Sequence, residues 1–151
     1  MRLLEKYAVK CGGGNNHRIG LYDMVMLKDN HIDFAGGIEA AIDRTHAYLK
    51  EKGKDLKIEI EVRNLDELEQ VLQHGGVDRI MLDNFDTDTL REAVRRIEGW
   101  RTSTGVNIET EASGGITDAT LRQYAETGVD FISVGALTHH IKSMDISLVK
   151  N

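Results

Sequence analysis

Apolar residues along this chain recur with two alternating periods. Residues 57–62 read Lys-Ile-Glu-Ile-Glu-Val, apolar at every second position, which predicts a strand with one face against a core. Immediately afterwards Leu65, Leu68, Val71 and Leu72 return at helical spacing. They predict a helix over 65–74, with Asn64 as its N-cap and Gly75-Gly76 as its stop. The same alternation runs through the chain. Strands are predicted at 24–28, 57–62, 79–82, 106–111 and 130–134. Helices are predicted at 1–10, 37–52, 65–74, 87–98 and 117–127, with Thr117 capping the last and a short closing helix from Leu137. Helix 37–52 gathers Ile38, Ala41, Ile42, Thr45 and Leu49 on one face. Residues 12–22 form a glycine-rich loop, and 145–149 an extended tail. Strict alternation of this kind implies an α/β fold, with parallel strands joined by crossover helices.

Each apolar strand ends in something polar or in glycine: Lys28, Glu61, Asp83, Glu111 with Ser113, and Gly135. Five such endings in register would ring one rim, the place where an α/β barrel carries its active site. A doubly wound open sheet has the same local pattern, so alternation alone leaves both architectures open.

Composition narrows the class of protein. At 151 residues, 40% hydrophobic and 29% charged, the chain is one domain's worth with room for a core. A net charge of −6 argues against non-specific binding to nucleic acid or to a membrane surface. No apolar run approaches the roughly 20 residues that span a bilayer. The first residues lack the apolar core of a signal peptide, and the lone Cys11 cannot form an internal disulfide. Both point to a cytoplasmic setting. The chain has no proline, and its first helix starts at residue 1 without a preceding cap. The expectation is a portion of something larger.

Candidate chemistry gathers at the strand ends. The turn Ser113-Gly114-Gly115-Ile116-Thr117 leads into a predicted helix, and Val134-Gly135-Ala136-Leu137 ends the next strand. Either alone reads equally well as a tight turn, but on consecutive strands they favour a phosphate. Glu61 and Asp83 taken singly are solvated or capping carboxylates; together they suit Mg²⁺ or sugar hydroxyls. Zinc is disfavoured, since there is one cysteine and the adjacent His139 and His140 point different ways. His17, Arg18 and Lys28 concentrate positive charge in an acidic chain. Surface charge is the ordinary reading of His17-Arg18, whereas Lys28 closes a buried strand. The Gly12 to Gly14 run is no P-loop, because no Gly-Lys-Ser/Thr follows it. Cys11 has no base near it in sequence, which makes a nucleophilic role improbable. Trp100, Tyr7, Tyr22 and Tyr124 are expected to pack, and Asp66, Glu67 and Glu69 to be solvated.

The stretches GGGNNHRIGLYDMVMLKDNHI, MLDNF, EASGGIT and ISVGALTH, in this order, make the chain resemble the quinolinate phosphoribosyltransferases. These are the carboxylating nicotinate-nucleotide pyrophosphorylases of NAD biosynthesis. The resemblance covers essentially the whole chain. It implies an incomplete, TIM-like parallel α/β barrel with its active site at the C-terminal strand ends. Residues 1–151 would be the C-terminal barrel domain, truncated, without the N-terminal sandwich domain and first barrel strand. It implies that His17, Arg18 and Lys28 meet the two carboxylates of quinolinate, and that Glu61 and Asp83 hold Mg²⁺ and the ribose of phosphoribosyl pyrophosphate. Lys28, Glu61 and Asp83 would be the catalytic groups. Ser113, Gly114, Gly115, Val134, Gly135 and Ala136 would cradle the 5-phosphate, with His139 close by. A homodimer or higher homo-oligomer is implied, one subunit covering the other's site. Two alternatives stay open: a truncated, inactive fragment that persists as an oligomer or bound to a partner, and a related pyridine phosphoribosyltransferase or phosphate-binding barrel.

Overall fold

The computed structural model describes residues 1–140 and 143–149. Five parallel strands form one sheet: β1 (Val25–Leu27), β2 (Ile58–Val62), β3 (Arg79–Asp83), β4 (Glu109–Ser113) and β5 (Phe131–Ile132). Their order across the sheet is their order in the chain. Every crossover therefore steps one strand in the same direction, and right-handed crossovers then place all their helices on one face. A doubly wound sheet would reverse its order at a switch point. The winding is that of a barrel, left open here between β1 and β5.

The helices are α1 (Arg2–Cys11), α2 (Asp29–Ala35), α3 (Ile38–Glu51), α4 (Leu65–His74), α5 (Thr87–Thr104), α6 (Leu121–Ala125) and α7 (Ala136–His139). On the helix-covered face Ile58, Ile60, Val62, Ile80, Leu82 and Ala112 pack with Ile42, Leu68, Val71, Leu90 and Ile97 in one buried cluster. Asn64 caps α4 by accepting the Glu67 N–H at 2.9 Å, as its position before an amphipathic run predicts. Asp86 does the same for α5, accepting from Asp88 and Thr89. The opposite face carries the intervening residues, with Glu59, Arg79 and Glu109 aligned across three strands and Glu61, Met81 and Glu111 in the next row.

A tripeptide recurs at the strand entrances, Gly76-Val77-Asp78 before β3 and Gly128-Val129-Asp130 before β5. Asp78 accepts the Ile58 N–H at 2.7 Å and donates its own N–H to the Ile58 carbonyl at 2.9 Å. Asp130 accepts from both the N–H and the hydroxyl of Thr110, each at 2.8 Å, and from Arg101 at 2.7 Å. Each aspartate thus staples the start of its strand to the strand before. The glycines turn the chain with φ of +79° and +90°, values that glycine adopts without strain.

Asp29–Ala35, where the pattern predicted no element, is helix α2, whose start is tied by His31 Nδ1 accepting the Lys28 N–H at 3.0 Å. Three expectations are corrected. The fourth strand is Glu109–Ser113 rather than 106–111, because α5 continues to Thr104 and stops at Gly105 with φ +71°. The sixth helix shrinks to Leu121–Ala125, and its N-cap is Thr120, not Thr117. Tyr7 and Tyr22 are exposed instead of packed, Tyr7 on α1, which buries no residue, and Tyr22 on the loop before β1; Trp100 and Tyr124 do pack on the core. The closing helix is Ala136–His139, and anything at 141–142 lies outside the described residues. No described helix is long and apolar enough to cross a membrane.

Burial pushes the Asp130 carboxyl upward, but the Arg101 guanidinium and the two Thr110 donors outweigh it and hold it below the ordinary range. A carboxylate lowered in the folded state stabilises fully above its unfolded value, about 3.9, and loses that contribution as pH falls through the folded value. Asp130→Ala is expected to cost about 1–3 kcal/mol at pH 7, because it strands the donors of Thr110. Urea unfolding at descending pH should show this deficit closing below about pH 4.

Candidate functional site

Parallel strands deliver their last residues to a common rim, and the register fixes which ones meet. Lys28 follows β1, Glu61 lies near the end of β2, and Asp83 and Ser113 end β3 and β4, paired with each other. Lys28 stands in extended backbone as the N-cap of α2, and its ammonium donates to Glu61 Oε2 at 3.0 Å. Glu61 is buried while the lysine is half exposed, so the pair presents its positive end outward. Asp83 accepts from the side-chain amide of Asn84 at 2.6 Å.

The turn after β4 is built against the turn after β3. The Asn84 N–H donates to the Ser113 carbonyl at 2.9 Å, with Asn84 itself in the left-handed region at φ +56°. Gly114 lies against it with φ +102°, and a Cβ there would come within 2.8 Å of the Asn84 nitrogen and closer still to its side-chain oxygen. Only glycine fits this contact without moving Asn84. Gly115, at φ +60°, faces open space. The residues 117–120 form a turn before α6, a helix of five residues, so this loop does not run straight into a helix N-terminus as expected. An anion here would be met by backbone N–H groups of the glycine turn and only weakly by a helix dipole. Val134 and Gly135 follow β5 in the adjoining turn, and Ala136 opens α7. His139 is exposed on α7.

His17 does not stay on the surface loop. Its ring reaches beneath the rim, where Nε2 meets Glu59 Oε2 at 2.6 Å and lies 3.8 Å from Glu111 Oε2. Glu59 is fully buried, and its Oε1 has no hydrogen-bond partner among the described residues. Glu111 is satisfied on both oxygens, by Arg79 Nη1 at 2.8 Å and by the Ser133 hydroxyl. Burial pushes the Glu111 carboxyl upward, and the neighbouring Glu59 charge adds to it, against the Ser133 and Arg79 hydrogen bonds and the His17 charge. Arg79 bridges on to Glu109, donating from Nη2 at 2.8 Å, and lies 4.1 Å from the Phe131 ring centroid. Burial works against the Arg79 charge, yet Glu109 and Glu111 hold its pKa above the ordinary guanidinium value. Arg18 sits beside His17, half buried, with Nη1 at 3.5 Å from the Met24 carbonyl.

The structure therefore gathers Lys28, Glu61, Asp83, Ser113, Gly114, Gly115, Val134, Gly135 and Ala136 along the strand ends, and sets His17 in a layer below. Sequence reading missed Glu59, Arg79 and Ser133 as partners in that layer and took Glu111 merely as a strand end. The signal was the alternation itself, since charged residues at most odd positions of three adjacent strands, with Met81 the apolar exception, imply a polar inner face. His17, Glu59 and Glu111 bring ligand atoms within 4.8 Å of one another. Their oxygens are largely committed to Arg79, Ser133 and the imidazole, which makes the trio a hydrogen-bonded charge network more than an open coordination site. An apolar cavity of about 460 Å³, lined by Leu4, Ala8, Val9 and Leu137 among others, lies between α1 and α7 and shares no residue with the rim. Its lining suits packing, not phosphate.

Strands wound in one direction, with chemistry collected where they end, are the marks of the α/β-barrel class of enzyme folds. The family model for the C-terminal domain of quinolinate phosphoribosyl transferase matches residues 1–149, and the chain belongs to that family. It is 45% identical over 98% of its length to an Arabidopsis thaliana protein named nicotinate-nucleotide pyrophosphorylase (carboxylating), chloroplastic, covering 44% of that protein. It is likewise 45% identical to the probable nicotinate-nucleotide pyrophosphorylase (carboxylating) of Bacillus subtilis, covering 47% of it. The solved nicotinate-nucleotide pyrophosphorylase of Francisella tularensis superposes with a TM-score of 0.84 at 45% identity, over 97% of this chain and 48% of that one. The chain spans about half the length of the curated relatives it matches.

Gly114→Ala is expected to lower stability by about 1–3 kcal/mol through backbone strain and displacement of Asn84. Gly115→Ala, with open space before it, should cost about 1 kcal/mol. Thermal unfolding of the two variants side by side checks the contrast.

Proposed function

We propose that this chain carries the catalytic floor of an enzyme that transfers the phosphoribosyl group of phosphoribosyl pyrophosphate to quinolinate. The products are nicotinate mononucleotide, pyrophosphate and CO₂. The observation that supports this best is the Lys28–Glu61 pair at adjacent strand ends, beside two glycine turns, in a chain matched by the family model along 1–149. The relatives named above, each about twice as long, point to the same reaction.

In this reading the cationic groups Lys28, Arg18 and His17 bind the two quinolinate carboxylates by charge-assisted hydrogen bonds. The amides of Gly114 and Gly115, with Ser113 and the Val134-Gly135-Ala136 turn, hold the 5-phosphate. Glu61 and Asp83 face the ribose, and His139 stands near the phosphate turn. The pyridine nitrogen forms a bond to the sugar carbon as the bond to pyrophosphate breaks. Positive charge developing on the sugar is stabilised by the fixed carboxylates. The alkylated nitrogen then draws the electron pair of the adjacent carbon–carboxylate bond into the ring as CO₂ leaves, and a proton takes its place. Glu61 and Asp83, oxygen donors on neighbouring strands, fit Mg²⁺, which binds through one or two carboxylates together with substrate phosphates. When bound, the ion shields the charge of the leaving pyrophosphate.

The relatives' additional length supports a site completed by a further domain, and the proposal includes a homodimer in which that domain closes the partner's site. The lone Cys11 supports a reducing compartment, the cytoplasm in this proposal. A second reading, a fragment held in an oligomer or on a partner, is favoured by the apolar surface of α1, where Leu3, Leu4 and Tyr7 are exposed.

Calorimetry with quinolinate should give weak binding to the chain and at least about tenfold weaker binding to Lys28→Ala, the loss of one charged hydrogen bond. Equal affinities would remove Lys28 from the site. Nicotinate mononucleotide formed with Mg²⁺ by an N-terminally extended version, and not by this chain, would assign the missing part of the site to the added domain. Absence of product from both would remove the proposed activity.

A further inference from the structure

The fully buried carboxylate of Glu59 has no role in the reaction as proposed, although it makes a close contact to one of the proposed substrate-binding groups. Its Oε2 lies 2.6 Å from His17 Nε2, and its side chain is 0% exposed against 26% for the histidine. A carboxylate accepts and cannot donate when ionised, so this contact places a proton on Nε2. The five-membered ring then sends Nδ1 away from Glu59, and Nδ1 makes no hydrogen bond among the described residues. The charged groups facing the ring from the sheet are Glu59 on β2 and Glu111 on β4, with Arg79 on β3 tied to Glu111. Arg79 and Ser133 hold Glu111 in place, which leaves Glu59 as the direct anchor.

We propose that Glu59 is a positioning residue. It holds the Nε2–H of His17 inward and turns Nδ1 outward, where the ring, once protonated on both nitrogens, donates to an anionic ligand carboxylate. The anchor works by the same logic as the buried acceptors that orient a metal-binding or catalytic histidine. With a proton on each nitrogen the ring bridges two carboxylates, Glu59 inside and the ligand outside. The identity of that ligand as quinolinate rests on the function proposed above, whereas the anchoring of the ring does not.

Nitrogen-15 NMR of the histidine rings in the intact chain separates the two, with His17→Gln identifying the His17 signals. In the wild-type protein the proton of His17 is expected on Nε2, and addition of quinolinate should bring a proton to Nδ1 as well. Glu59→Leu should release the ring into a mixture of tautomers and weaken quinolinate about tenfold or more. Glu59→Gln, which keeps an acceptor at the same place, should retain the Nε2–H form. A wild-type His17 protonated on Nδ1 alone overturns the proposal without any variant, and so does a folded Glu59→Leu that keeps the wild-type ring signals. If Glu59→Leu does not fold, the wild-type and Glu59→Gln spectra decide. An Nε2–H ring held by Glu59 in a protein that ignores quinolinate supports the anchor and counts against the substrate.

Discussion

Charge neutralisation on the polar face of the sheet is the constraint on which the arrangement depends. Glu59, Glu61, Glu109 and Glu111 all project from adjacent parallel strands, and two of them are almost completely buried. Carboxylates this close cannot stay ionised unless cations are threaded between them. Arg79 supplies one from the sheet itself and Lys28 another from the end of β1, while His17 on the glycine-rich loop meets Glu59 at 2.6 Å. The loop is thus tied to the sheet through a hydrogen bond to a buried carboxylate. Its glycines allow the chain to turn there without side chains in the way.

The same strands show how one surface can be rigid and the other chemical. On the outer face, apolar residues from alternating positions pack against helices in a single cluster. At the strand entrances the paired Gly-Val-Asp turns lock neighbours together, so that register is set at the end opposite the rim. The rim is left to glycine turns and polar strand ends.

Much of this was legible in the residues. Alternation of strand and helix, the N-cap at Asn64 and the strand-end positions of Lys28, Glu61 and Asp83 all follow from period and from what sits where a period stops. The winding direction did not, because neighbouring strands in space leave no mark on local periodicity. Helix α2 was hidden because its first turn is polar, and a polar run after a strand looks the same whether it is a loop or a helix. Glu59 was not singled out, since period-2 alternation says which residues share a face and not what covers it. The cover is His17, forty-two positions away in the chain. The repeated Gly-Val-Asp tripeptide was visible in the sequence and went unnoticed as a staple, because its meaning lies in the strand before it.

The sheet narrows toward both sides: β2, β3 and β4 are five residues each, whereas β1 has three and β5 two. A tapered edge offers few free backbone groups, too few to template a foreign strand with a defined register. Any chain that meets these edges would have to be held first by side chains and loops, with backbone pairing following as a consequence.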